Sequence, residues 1–70
     1  MGIKEAYIKL KNEWTDISAD IVSLRNEAIT TGDTTPLTTA TYYRNGIEVA
    51  LSVIEEECPE VKEEYHEDHN

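Results

Sequence analysis

The chain has 70 residues and a mass of 8.0 kDa, with 39% apolar and 30% charged side chains. That is room for one small domain, which hides only about 60% of the surface it exposes when unfolded, so a self-sufficient enzyme with a deep cleft is not expected. Fifteen acidic against six basic side chains give a net charge of −9, which disfavours general attraction to a nucleic-acid backbone or an anionic membrane and favours basic partners.

From Ile3 the apolar residues Ile3, Tyr7, Leu10, Trp14, Ile17, Ile21, Leu24 and Ala28 follow alternating steps of four and three. This rhythm predicts a helix over about residues 3–30 with one apolar seam. Ile8, Val22 and Ile29 add an apolar flank beside that seam, wider than a two-stranded coil needs. Residues 31–35 then read as a turn: Gly32 can adopt the left-handed conformation that ends a helix, Thr34 or Thr35 can cap the next, and Pro36 suits its first turn.

A second helix is expected over about residues 36–57, because Leu37, Ala40, Tyr43, Ile47, Ala50, Leu51, Ile54 and Cys58 repeat the helical spacing. At about 1.5 Å per residue the two helices span about 40 and 33 Å, so a short turn lays them antiparallel. Gly46 stands in mid-helix, where it costs about 1 kcal/mol against alanine; with Ala50 one turn on, it leaves a flat strip on which another backbone can approach. Pro59 should end the helix. Residues 59–70 carry one apolar pair, Val61 and Tyr65, amid heavy acid, and support an acidic tail or a short third helix.

The fold expected is therefore all-α: a helical hairpin over residues 1–58, completed by self-association into a helical bundle. Two helices alone would leave Ile8, Val22, Ile29, Tyr42, Val49 and Val53 in water. A homodimer or higher oligomer would cover them, with Tyr7, Trp14, Ile21, Gly46 and Ala50 as candidate interface residues. A C-terminal helix folding back over the hairpin is the monomeric alternative. The single cysteine, Cys58, excludes an intrachain disulfide, and no apolar run reaches membrane-spanning length. A soluble, cytoplasmic protein is expected.

Charge is uneven. Residues 1–35 hold four basic and six acidic side chains, a net −2, whereas residues 36–70 hold two and nine, a net −7. Glu55, Glu56, Glu57 and Glu60 gather at the end of the second helix, as a candidate surface for a basic partner or as a solvated face partly neutralised by Lys4, Lys9 and Lys11. Catalytic constellations are lacking, so no enzyme activity, cofactor or metal is expected. The only histidines, His66 and His69, share a ligand-like spacing in a terminal polar run. A second candidate site lies near the start of helix two, where Thr38, Thr39, Tyr42, Tyr43, Arg44 and Asn45, joined by Arg25 across the turn, offer donors and rings to a small anionic nucleotide. The alternative there is that the threonines cap, the tyrosines pack and Arg44 pairs with Glu48.

The segment Tyr42-Tyr43-Arg44-Asn45-Gly46-Ile47-Glu48-Val49-Ala50-Leu51-Ser52-Val53-Ile54 resembles helices in small proteins of bacteriophages and prophages, which carry a tyrosine, an Asn-Gly pair and an aliphatic-Glu-x-Ala-Leu run. The resemblance implies a phage-encoded protein that binds and blocks a host protein in the host cytoplasm, in some cases a defence component. Some such proteins imitate the charge of DNA, which the bunching of carboxylates at one end disfavours here. Others are oligomers that sequester a nucleotide signal, and a purely structural bundle subunit is the third class.

Overall fold

The computed structural model describes residues 2–69, with side chains described for residues 2–65. Three helices follow one another, α1 over Ile3–Thr31, α2 over Thr35–Glu57 and α3 over Glu60–His69, and no strand occurs among the described residues. The long dimension of the molecule, 43 Å, is the length of α1, whose 29 residues rise about 1.5 Å each. Two cross-helix bonds set the register. Tyr7 donates its hydroxyl to Glu55 at 2.5 Å, and Trp14 donates its indole N–H to Glu48 at 2.9 Å. Seven residues forward along α1 thus answer seven residues back along α2, the antiparallel hairpin the apolar spacing predicts.

The reversal between α1 and α2 takes three residues. Gly32 adopts the left-handed conformation, φ 76°, and its N–H reaches the carbonyl of Ala28 at 2.8 Å, closing α1 where a side chain would be strained. The cap of α2 differs in one respect from the expectation. Thr34 occupies the N-cap position, but its near-helical backbone leaves the hydroxyl without a capping bond. Asp33 supplies the acceptor instead, its Oδ1 taking the Thr35 N–H at 3.0 Å, and this bond holds its carboxyl below the ordinary carboxylate range. At the other end of α2, the Cys58 N–H makes the last helical bond, to Ile54. Pro59 has no N–H to continue the ladder, and the chain bends into α3.

Residues 60–69 form the short helix rather than a frayed tail, and α3 folds back over the open end of the hairpin. Its pair Val61 and Tyr65, four residues apart, shares one face. Val61 is 2% exposed and joins Tyr7, Ile47 and Leu51 in the core, with Leu10, Trp14, Ile17, Ile54, Cys58 and Tyr65 packed around them. The Tyr65 ring meets the Tyr7 ring edge to face at 5.8 Å, and Lys4 reaches Glu64 at 3.6 Å. Nearer the turn, Ile21 and Ala40 are buried.

Two of the residues expected at an interface between copies, Tyr7 and Ile21, are thus already buried within one chain, and a third, Trp14, is half-buried against α2. The seam is filled by α2 and α3. Of the residues expected in water, Ile8 is half-buried, whereas Val22, Ile29, Tyr42, Val49 and Val53 are each more than half exposed, as is Tyr43. Gly46 is exposed and Ala50 half-buried.

Candidate functional site

The seam between α1 and α2 has two flanks of different chemistry. On the first, Lys11, Trp14, Glu48, Leu51, Ser52 and Glu55 line an open cleft of about 340 Å³. Its charged and indole groups are already engaged. Glu55 accepts from Tyr7, Glu48 accepts from Trp14 and lies 3.9 Å from Arg44, and the Lys11 ammonium sits 5.6 Å from the ring centres of both Tyr7 and Tyr65. Burial pushes the Tyr7 phenol well above its ordinary value of 10, and the hydrogen bond to Glu55 and that group's negative charge push it further. This cleft is part of what holds the hairpin and α3 together.

The second flank is acidic. Glu13, Asp16 and Asp20 rise along one stripe of α1 and, with Ile17 and Tyr43, line a hollow of about 230 Å³. Tyr43 stands 55% exposed in it and donates a long hydrogen bond of 3.4 Å to Glu13. None of the three carboxylates forms an ion pair among the described residues. They do not converge as metal ligands either, and no such group of three occurs among the described residues. The arrangement suits a cation carried on an apolar stem, as a lysine or arginine side chain is, with Ile17 and the Tyr43 ring taking the stem and the carboxylates the head.

The acidic residues expected to meet a partner divide. Glu55 is half-buried and turned inward to Tyr7, whereas Glu56, Glu57 and Glu60 are exposed. The candidate nucleotide residues are not brought together within one chain. Tyr42 points outward, 71% exposed, Tyr43 lines the acidic hollow, and Arg44 lies against Glu48 on the opposite flank. Thr39 bonds the carbonyl of its own preceding turn, Thr35, while Thr38, Asn45 and Arg25 are exposed. One detail there stands out: the buried Arg44 Nε and the buried Ser18 Oγ have no hydrogen-bond partner. His66 and His69, the one pair with metal-ligand spacing, lie outside the residues whose side chains are described.

The acidic hollow is a surface feature that a charge census by halves of the chain conceals. Lys4, Lys9, Lys11 and Arg25 bring the first half to a net −2, but Lys4 and Lys11 are turned toward α3 and the tyrosine rings rather than toward Glu13, Asp16 and Asp20. The spacing 13, 16, 17, 20 on one helical face is the signal that identifies it. No family model, curated protein or solved structure matches this chain. No helix is long and apolar enough to cross a membrane among the described residues.

Proposed function

We propose that this chain is a small, acidic, non-enzymatic interaction protein, phage-encoded, that binds a basic surface of a host protein and blocks it. The observation that carries the reading is the hollow on α1, where three carboxylates with no ion pair among the described residues surround a half-exposed tyrosine and an isoleucine. Unpaired surface charge in such a place costs the fold little and is available for recognition and for steering a partner of opposite sign. Glu56, Glu57 and Glu60 extend the same sign at the end of α2.

Capture from bacterial lysate at moderate salt tests this. A basic protein should be retained by the wild type and lost by roughly tenfold or more with Asp16→Lys/Asp20→Lys, since close charge pairs across an interface are worth that much or more. Tyr43→Ala should weaken it further. Retention of no protein, or retention that survives both this reversal and Glu56→Lys/Glu57→Lys, would overturn the reading. Glu55 is left out of the reversal because it carries the Tyr7 bond.

One observation favours a second reading, an oligomeric sponge for a small anionic nucleotide. Two buried atoms lack a hydrogen bond, Arg44 Nε, which has only the 3.9 Å ion pair with Glu48, and Ser18 Oγ; they are a donor and a donor-acceptor. A thermal-shift screen of cyclic and linear nucleotides decides it: stabilisation by one of them, lost in Arg44→Ala, supports the sponge, and no shift removes it.

A further inference from the structure

The face of α2 that points away from α1 carries a seam of its own. Thr35, Thr39, Tyr42, Gly46, Val49 and Val53 follow one another in steps of four, three, four, three and four, the spacing with which one helix meets another along its length. All six are exposed, and the three large apolar side chains among them, Tyr42, Val49 and Val53, are 71%, 64% and 52% exposed. The seam carries no charge in a chain that is 30% charged, and the charged side chains of α2 that have partners, Arg44, Glu48 and Glu55, are directed to the α1 side.

Gly46 sits at the middle of this seam. A β-carbon there would meet nothing within 4 Å, so no contact within the chain calls for a glycine. It costs about 1 kcal/mol of helix stability relative to alanine all the same. A glycine that the chain's own packing does not require, centred in an uncharged heptad stripe, fits a place where a second backbone comes close.

We propose that this face pairs with the same face of a second copy of the chain, antiparallel and crossing at Gly46. The pattern is self-complementary about that point. In an antiparallel crossing, Gly46 faces Gly46, Tyr42 falls opposite Val49 and Ala50, and Thr39 falls opposite Val53, so a large ring meets a small and a medium residue on each side. Charge selects the direction. A parallel pair would crowd Glu56, Glu57 and Glu60 of both copies together, whereas the antiparallel pair separates the two clusters by about 30 Å, several times the screening length of about 8 Å. It also sets each cluster near the positive pole of the other α2. The contact is an isologous two-fold interface. It leaves the hollow's carboxylates Glu13, Asp16 and Asp20 on a different helix, so Val49→Glu/Val53→Glu and Asp16→Lys/Asp20→Lys test the seam and the partner surface separately.

Sedimentation equilibrium and cysteine cross-linking test the proposal. The wild type should sediment at twice the chain mass of 8.0 kDa, and Val49→Glu/Val53→Glu should sediment as a single chain with its helical circular dichroism unchanged, because both residues are exposed. In a Cys58→Ser background, Gly46→Cys should form a disulfide-linked dimer under mild oxidation, since the α-carbons must approach within about 7 Å for that bond. Val53→Cys, opposite Thr39, should not. A wild type that stays a single chain at millimolar concentration would overturn the proposal, as would a mass unaffected by the double variant. Cross-linking of Val53→Cys as readily as Gly46→Cys would overturn the antiparallel crossing.

Discussion

Replacing Tyr7 by alanine should cost the chain about 3–5 kcal/mol, roughly a third or more of what a 70-residue domain commonly has, about 4–10 kcal/mol. The residue is fully buried, lies at the junction of all three helices and bonds Glu55 through its hydroxyl. Its removal takes away the ring that Tyr65 and Lys11 rest against. Urea denaturation followed by far-ultraviolet circular dichroism should show Tyr7→Ala largely unfolded at a denaturant concentration where the wild type is intact. Tyr7→Phe isolates the hydroxyl and should cost about 1.5–3 kcal/mol, the net worth of a hydrogen bond to a charged group.

The same phenol makes stability depend on alkaline pH. Its ionisation is raised in the folded state, so the folded chain holds a proton that the unfolded chain releases near pH 10. The contribution is complete below that pH and is lost as pH rises above it. The denaturation midpoint should fall on going above pH 10 in the wild type and fall less in Tyr7→Phe. Equal slopes in the two proteins would show that the Tyr7 phenol is not held neutral by its surroundings.

Val61→Asp should release α3. The side chain is 2% exposed, and an unpaired carboxylate there costs more than α3 has to lose by letting go. The measured loss is therefore capped at the docking energy of α3. Burial of Val61 supplies about 1.5–3 kcal/mol of it, and the edge-to-face contact of Tyr65 with Tyr7 adds about 0.5–1.5 kcal/mol. A destabilisation of about 2–4 kcal/mol is expected, with α1 and α2 retaining their helicity and limited proteolysis appearing near Cys58 and Pro59. A variant as stable as the wild type, or one that unfolds completely, would contradict this division of the energy.

Much of the fold was legible in the sequence because its signals are local. The alternating steps of Ile3 to Ala28, the glycine at 32 and the prolines at 36 and 59 each act within a turn or two of helix, and the observed helices Ile3–Thr31 and Thr35–Glu57 begin and end beside them. How the seam is closed was not legible, because it depends on where α3 lands. The pair Val61 and Tyr65 fits a solvated helix as well as a docked one until Tyr7 is seen beneath it. The candidate site divided for a related reason. Neighbours in sequence such as Tyr42, Tyr43 and Arg44 read as a cluster, but successive residues on a helix are turned about 100° from one another, which sends them to three faces. The acidic hollow runs the other way: Glu13, Asp16 and Asp20 are separated in sequence and gathered by the helix.

Everything proposed for the outer surfaces presupposes that one copy of the chain closes its own core through α3. Native-state amide hydrogen exchange, read along the chain at low concentration, tests that directly. Amides of α3 around Val61 and Tyr65 should be protected, by a factor set by the docking energy of about 2–4 kcal/mol. Amides of α3 that exchange as fast as an unstructured peptide while those of α1 and α2 remain protected would show the seam at Tyr7 open and the account wrong.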